Sequence, residues 1–460
     1  MSGRVETAAG RTLKGVLLLG FLLVLAAGLP PHLSVDSVMA LYEGRLQVRE
    51  TFGPVLYARI VGLADGLPGG LGLYVALSAA SLFAALAWAP RLRPTTSWWA
   101  VPVAVMFILS PTVLIFQGVV WKDVLFANLT VFGFVALAFG LTSRGPRGWL
   151  ALLASGLVLA VAMSIRQNGF VFVAGAGAAV AWVLGRRLGW PKAIALGGAW
   201  VLLICLAAAA MGQAAQPRRA GPDKALGVGL RILQHYDVVG ILARDPEAQP
   251  TGVAQAGRPE AAALIRDAAP QAYSPERVDF FERRPDLAPA LWKTPPGVMR
   301  AQWLALISSH PTTYLTHRWE VFRWLVAPPD RSRCVPVFVG VTGPPAILAR
   351  LGMEPRSSAK DRALARFGQA FVATPLYSHL FSAAVAALVM AALLWRREDQ
   401  DIVVALFMAS ALAFAASFFV ISIACDHRYL YALDLAAAAG ALYLALQPSV
   451  RRNFRPMSAV

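Results

Sequence analysis

An aspartate just after the first hydrophobic run is the residue of this sequence best placed for acid–base chemistry. Asp36 lies within 33–67, a charged stretch in a chain that otherwise uses charge sparingly. A carboxylate at a membrane boundary can remove the proton of an attacking hydroxyl, so we interpret Asp36 as a catalytic base. The alternative role is the N-cap of a helix that continues through Ser37, and one side chain can serve both purposes.

The stretch around Asp36 predicts two short amphipathic helices lying at the membrane interface. The apolar residues at helical spacing are Leu41, Tyr42 and Leu46 in the first helix, and Val55, Leu56, Ile60 and Leu63 in the second. Pro54 is suited to the start of the second helix. Glu43 lies two turns after Asp36 on the same face, where it would either orient an acceptor or bind Arg45 or Arg49.

Two later junctions between hydrophobic runs carry side chains that suit a phosphate. Lys122 would hold a phosphate while Asp123 orients it; the alternative is a surface ion pair. Arg166 offers a bidentate contact to phosphate, against the alternative of an ordinary arginine reaching the interface. Asn168 and Gly169 supply the tight turn that returns the chain to the membrane.

A last polar cluster, Asp426-His427-Arg428-Tyr429, separates two further hydrophobic runs. Arg428 is predicted to be a second phosphate contact, and His427 a ligand, an acid or a plain hydrogen-bonding residue. His310 and His317 have no partner at metal-binding spacing, so the sequence assigns no metal site. A divalent cation shared by Asp36 and loop aspartates stays open.

Composition places these residues in a membrane protein. Hydrophobic residues make up 57% of the 460, charged residues only 15%, and the mean hydropathy is +0.58. A spanning helix needs roughly 20 apolar residues. We therefore predict an all-α polytopic fold. About ten suitable runs occur, near 15–31, 70–89, 98–117, 123–142, 148–164, 168–185, 192–211, 377–395, 402–424 and 428–446.

Charge separates the connecting loops into two faces. Short basic loops mark the cytoplasmic side of a membrane. The basic residues of this set are Arg4, Arg11, Lys14, Arg91, Arg93, Arg144, Arg147, Arg186, Arg187, Lys192, Arg396, Arg397, Arg451, Arg452 and Arg455. Ten spans then place both termini in the cytoplasm and every candidate site residue outside. The net charge of +17 fits this anchoring and contact with anionic membrane lipids; no basic strip interleaved with aromatics suits nucleic acid.

The long segment 212–376 is predicted to be a mainly helical outer domain. It separates an N-terminal transmembrane module, 1–211 with its first outer loop 32–69, from C-terminal transmembrane helices and a cytoplasmic tail, 377–460.

Within the outer segment, one helix from Pro311 onward is predicted to pack on the membrane surface. Its apolar residues at helical spacing are Tyr314, Leu315, Trp319, Phe322 and Leu325, while His317, Arg318 and Arg323 fall on other faces. Cys334 and Cys425 fall on the same outer side. The sequence does not decide between a disulfide and two unrelated thiols.

The layout and three short motifs resemble the GT-C superfamily of membrane glycosyltransferases. The motifs are WKDVLFA at 121–127, IRQNGF at 165–170 and DHRYLY at 426–431, and they are similar to those of a poorly characterised bacterial branch. The early acidic residue and the two interfacial helices of the first outer loop match the same superfamily.

The resemblance implies a polyprenyl-phosphate-linked sugar as donor and a glycan, lipid or protein as acceptor, at the periplasmic face of a bacterial inner membrane. Asp36 would deprotonate the acceptor, and the sugar would transfer with inversion. Arg166 and Arg428 would neutralise the departing phosphate.

Two other interpretations compete with this one. A polysaccharide polymerase or O-antigen ligase would rely on His310, His317 and Arg318 in the large outer segment rather than on Asp36. A lipid or solute transporter would place polar residues at mid-membrane depth and interrupt its helices there.

Overall fold

The computed structural model describes residues 7–217 and 227–449, and over those residues the chain is helical, with isolated β-bridges in place of strands. The terminal Arg4, Arg451, Arg452 and Arg455 of the orientation argument lie outside the described residues.

Ten α-helices precede the outer segment: α1 (Ala8–Gly28), α2 (Val35–Leu46), α3 (Val55–Asp65), α4 (Gly70–Trp88), α5 (Ala100–Leu109), α6 (Pro111–Phe116), α7 (Lys122–Thr142), α8 (Pro146–Ile165), α9 (Phe170–Leu188) and α10 (Trp190–Ala214). The outer segment contains α11 (Val228–Leu242), α12 (Thr251–Gln255), α13 (Pro259–Ala272), α14 (Asp279–Glu282), α15 (Leu287–Trp292), α16 (Pro296–Ser309), α17 (Pro311–Val326), α18 (Pro345–Leu351) and α19 (Ala359–Ala370). The chain closes with α20 (His379–Arg396), α21 (Asp399–Ile421) and α22 (Tyr431–Leu446).

Within the described ranges, nine helices are long and apolar enough to cross a membrane: α1, α4, α7, α8, α9, α10, α20, α21 and α22, three of them extended by a 3₁₀ turn. The prediction of an all-α polytopic membrane protein is confirmed at this level. One predicted span, 98–117, was wrong as a continuous helix. It consists of α5 and α6, separated at Ser110, because Pro111 has no N–H to donate and forces the preceding residue into an extended conformation.

The connecting loops gather at two ends of the bundle. At one end, Arg93 pairs with Glu398 and with Asp401, and the backbone N–H of Ser97 donates to Leu446 O at 2.8 Å. At the other end, the backbone around His32 bridges to the segment around Val119. The 21 residues of α7 span roughly 31 Å between these ends. The broken pair α5–α6 makes the same traverse.

The two helices of the first outer loop form as predicted and pack directly on each other. Gly44 and Gly62 let the backbones of α2 and α3 approach, since a Cβ on Gly44 would lie 2.0 Å from Ala58 O. Tyr57 of α3 donates its hydroxyl to Val120 O at 2.8 Å. The same oxygen accepts from Ser37 Oγ of α2 at 2.6 Å. Both helices are thereby fixed to the segment that leads into α7.

The outer segment contributes to two separate cores. Helices α11 to α17 surround their own apolar core, which includes Tyr236, Ile265 and Phe281. Residues from α18, such as Leu348 and Leu351, instead join the core of the transmembrane helices. A disulfide between Cys334 and Cys425, with Cα atoms 5.0 Å apart, links the end of the first part to the turn before α22.

Helix α17 forms where predicted, and its packing on the membrane surface stays a prediction. His317 and Arg318 are buried, whereas Leu315 and Trp319 are exposed. The reason is Asp237 of α11, which accepts a hydrogen bond from His317 at 3.0 Å and pairs with Arg318 inside the outer core.

Candidate functional site

Asp36 lies in the first turn of α2, and its side chain is 61% exposed. Ser34, not Asp36, occupies the N-cap, and its backbone N–H donates to Ser37 Oγ at 3.1 Å. The predicted capping role of Asp36 was therefore wrong. Since the cap is provided by its neighbours, the Asp36 carboxylate is available to other partners.

Arg428 connects the carboxylates of the site. Its guanidinium forms an ion pair with Asp36, donates from Nε to Asp426 Oδ2 at 2.9 Å, and lies 3.9 Å from Asp123 Oδ2. The guanidinium carbon also lies 4.9 Å from the centre of the Trp121 ring, a cation–π distance. Residues from α2, from α7 and from the turn before α22 thus meet at one buried arginine.

Arg166 holds the second half of the site. It forms an ion pair with Asp123, and its Nε donates to Asn168 Oδ1 at 3.3 Å. The rings of Phe414 and Phe418 lie 5.3 and 5.2 Å from its guanidinium carbon. Arg166 is therefore a fixed, nearly buried side chain whose charge is already matched by Asp123.

Lys122 differs from both arginines. Over residues 7–217 and 227–449 it makes no hydrogen bond or ion pair, although its side chain is only half-buried and it lies within the electrostatic reach of Asp36. It is thus the cation of this cluster that is available for an incoming anion. We name the six residues Asp36, Lys122, Asp123, Arg166, Asp426 and Arg428 the charged cluster.

The carboxylates of the charged cluster have different protonation behaviour. Desolvation raises the pKa of Asp36, but attraction to Arg428 and Lys122 outweighs it, so the pKa lies below its ordinary value. Burial raises the pKa of Asp426 above its ordinary value, with Arg428 opposing the shift and Asp36 reinforcing it. The pKa values of the two carboxylates that share Arg428 are therefore shifted in opposite directions, and Asp36 is the one held ionised.

Two predicted site residues lie away from the charged cluster. Glu43 accepts hydrogen bonds from the backbone N–H groups of Glu50 at 2.8 Å and Thr51 at 2.5 Å, which closes the loop between α2 and α3. Arg45 pairs with Asp65 instead of Glu43. Glu43 therefore does not share the position of Asp36, because its helix turns it toward its own loop.

His427, next to Arg428 in sequence, turns in another direction. Its ring stacks on His379 with centroids 4.2 Å apart, and its Nε2 lies 3.6 Å from Asp434 Oδ2. Over the described ranges, His379, His427 and Asp434 are the one group of three potential ligands whose atoms lie within 4.8 Å of one another. Asp36, Asp123 and Asp426 form no such group.

Sequence reasoning omitted several residues that the fold brings to the site. Asp426 was part of the recognised cluster but was not assigned a role. The clue to Trp121 was its position beside Lys122. His379 is separated from His427 by 48 positions, so only the packing of α20 against α22 reveals their contact.

No protein-family model matches this chain, and no curated protein shows significant similarity to it.

Proposed function

We propose that the chain is a membrane glycosyltransferase of the GT-C type. It would move a sugar from a polyprenyl-phosphate donor to a hydroxyl of a glycan, lipid or protein at the outer face of a bacterial cytoplasmic membrane. The observation that carries the proposal is the exposed Asp36 carboxylate, which is held ionised within the electrostatic reach of Lys122, a cation that makes no ion pair among the described residues. Displacement of a phosphate by a hydroxyl requires an ionised base for the hydroxyl proton and a cation for the departing phosphate.

In this mechanism the acceptor hydroxyl gives its proton to Asp36 while its oxygen attacks the anomeric carbon of the donor. The bond from that carbon to the phosphate oxygen breaks, and its electron pair leaves with the polyprenyl phosphate. One displacement without an enzyme-bound sugar inverts the anomeric configuration. Lys122 neutralises the charge that accumulates on the departing phosphate.

Arg428 gives this mechanism a natural order of events. Its pairing with Asp36 lowers the basicity of that carboxylate before substrate arrives. A donor phosphate that binds Lys122 also competes with Asp36 for the Arg428 guanidinium. Donor binding would therefore release Asp36 and increase its basicity when a proton has to be removed.

The assignments of the two arginines change accordingly. The sequence predicted direct phosphate contacts for Arg166 and Arg428. In the fold, Arg166 is matched by Asp123 and Arg428 by Asp36 and Asp426. We assign Arg166 to positioning Asp123, and Lys122 to the first contact with phosphate.

The competing interpretations receive less support from the fold. His317 and Arg318, on which a ligase-type mechanism relied, are fully buried with Asp237. The polar residues deep in the bundle are mutually hydrogen-bonded, for example Gln117 Nε2 with Asn128 Oδ1 at 2.8 Å. Such a paired network suits helix packing better than a transport path.

The decisive experiment compares wild type with Asp36→Asn in lipid nanodiscs supplied with a panel of radiolabelled polyprenyl-phosphate sugars. We expect turnover by wild type, with an inverted product, and a loss of roughly 10²- to 10⁴-fold in Asp36→Asn. The matched control is Asp65→Asn, which removes a carboxylate from an ion pair of the same loop and should retain activity.

Equal turnover by wild type and Asp36→Asn would remove Asp36 from catalysis. Saturable lipid binding by wild type, with no turnover of any donor, would favour a transporter over the proposed enzyme.

A further inference from the structure

His379, His427 and Asp434 form a compact group of side chains that the proposed reaction does not use. His379 is the first residue of α20, His427 lies in the turn before α22, and Asp434 is in the first turn of α22. Their side chains are 2%, 6% and 9% exposed. The group therefore lies inside the protein, between two helices and the turn that carries Arg428.

Several buried polar atoms of this group make no hydrogen bond among the described residues. His379 Nδ1 lies 3.0 Å from Asp434 Oδ1, a hydrogen-bond distance. His379 Nε2, His427 Nε2 and Asp434 Oδ2 are buried without a hydrogen bond among the described residues. Buried polar atoms are normally satisfied, and unpaired ones cost free energy. Two of these atoms, His427 Nε2 and Asp434 Oδ2, lie 3.6 Å apart, where one ligand could contact both.

The charge of the Asp434 carboxylate also favours a bound cation. Asp434 forms no ion pair with a lysine or arginine within residues 7–217 and 227–449; both of its ion-pair partners are histidines. A nearly buried carboxylate requires a compensating positive charge. A bound cation supplies it while leaving both imidazoles neutral.

We propose that His379, His427 and Asp434 bind a divalent transition metal of the zinc class. Two imidazole nitrogens and one carboxylate oxygen suit Zn²⁺ rather than Mg²⁺ or Ca²⁺, which prefer oxygen ligands. Tetrahedral ligands about 2.1 Å from zinc lie roughly 3.4 Å from one another. His379 Nδ1 lies 3.0 Å from one Asp434 oxygen and His427 Nε2 lies 3.6 Å from the other, and one ligand atom from each of the three residues lies within 4.8 Å of the others. One imidazole must turn out of the 4.2 Å stack so that both nitrogens face the same ion.

The metal would act on architecture and not on the sugar. It would join the start of α20 to the start of α22 and fix the turn in which His427 precedes Arg428. On the other side of that turn, Cys425 is bonded to Cys334. The disulfide and the metal would then hold the turn that carries Arg428 at both of its ends. This structural role goes beyond the proposed transferase activity, on which it does not depend.

The test measures metal content of the full chain, purified with a histidine-free tag, exposed to Zn²⁺ and passed over a desalting column. We expect about one zinc per wild-type chain and a loss of most of it in His379→Ala, His427→Ala and Asp434→Asn. His310→Ala is the matched control, because His310 also lies 2.8 Å from a carboxylate, that of Asp245, but outside this group. It should retain the metal.

A second readout keeps the proposal testable if one variant folds poorly. Wild type loaded with Co²⁺ should show the visible absorption of tetrahedral cobalt, and this absorption should disappear on addition of Zn²⁺. Asp36→Asn should bind metal like wild type, so loss of transferase activity and loss of the metal site are separable. Zinc that survives all three substitutions, or a folded wild type without zinc, would overturn the proposal in favour of a hydrogen-bonded His–Asp–His group.

Discussion

The protein contains two groups of arginine and aspartate in apolar surroundings. They differ in how completely their charged side chains are paired and buried. In the outer core, Asp237 pairs with Arg318 and accepts from His317 at 3.0 Å and from Trp303 at 2.8 Å. Asp237, His317 and Arg318 are all fully buried. In the charged cluster, Asp36 is exposed and Lys122 is unpaired among the described residues. The charges of the first, closed group are buried and paired with one another, whereas the second, open group keeps an exposed carboxylate and a lysine without an ion pair among the described residues.

The two groups also differ in where their members come from. The outer group joins α11 and α17, with Trp303 from α16, around one core. The charged cluster assembles residues from the first outer loop, from the start of α7 and from the turns before α9 and α22.

The largest loss of stability should come from removing the carboxylate of the closed group, Asp237. Asp237→Ala leaves the buried Arg318 guanidinium without its carboxylate, and we expect it to lower the free energy of unfolding by about 3–5 kcal/mol. Denaturant titration of the purified protein, followed by tryptophan fluorescence, measures the change. Asp36→Ala is the comparison: it removes an exposed carboxylate and should cost less than about 1 kcal/mol. Equal losses in the two variants would contradict the distinction between closed and open groups.

Acid should weaken the closed group next. Burial lowers the pKa of His317 from 6.5 to about 4, against the opposing influence of Asp237. Between these values the unfolded chain binds a proton that the folded chain excludes, so stability is complete above pH 6.5 and falls as the pH decreases toward 4. A shift of this size corresponds to about 3 kcal/mol.

Unfolding titrations across that pH range should show the loss in wild type and a flatter profile in His317→Gln. His32, whose pKa burial also lowers to about 4, adds a parallel contribution that remains in this variant. The ionisation of Asp36 should not change over the same range, because its pKa lies below the ordinary value. Identical profiles for wild type and His317→Gln would assign the acid sensitivity to other groups.

The smallest change in free energy should come from a substitution in the open group, and it should appear in substrate affinity rather than in stability. Lys122→Gln removes a cation that makes no hydrogen bond or ion pair within residues 7–217 and 227–449, so stability should be preserved while KM for the lipid-linked donor rises about tenfold, or about 1.4 kcal/mol. Lys122→Arg should recover part of the affinity because it keeps the charge. Steady-state kinetics with varied donor concentration tests this expectation. A loss of stability with unchanged KM would show that Lys122 belongs to the packing instead.

Much of this organisation is readable in the sequence because it depends on local signals. Runs of apolar residues predict the long helices. Of the three apolar positions predicted for α2, Leu41 and Tyr42 are buried, whereas Leu46 is exposed. Pro111 also carried the signal for the break between α5 and α6, although hydrophobicity alone favoured a continuous span. The gathering of polar junctions at one end follows from the alternation of spans.

What the sequence could not predict depends on partners far away in the chain. Helical spacing in α17 places His317 and Arg318 away from its apolar side, but it does not reveal that Asp237 of α11 binds both residues inside the outer core. Glu43 has the right spacing to join Asp36, yet two backbone N–H groups of its own loop bind it. In both cases a hydrogen-bond partner, not hydrophobicity, decides which way the side chain faces.

The bond between Cys334 and Cys425 should form only if this end of the helical bundle faces an oxidising compartment. Disulfides form and persist in oxidising compartments and are rare where thiols are kept reduced. The bond closes a loop of 91 residues and ends three positions before Arg428. A chain inserted the wrong way round would keep both thiols reduced and leave that turn without its covalent tether. Formation of this disulfide would therefore depend on correct insertion, and it would also fix the turn that carries Arg428.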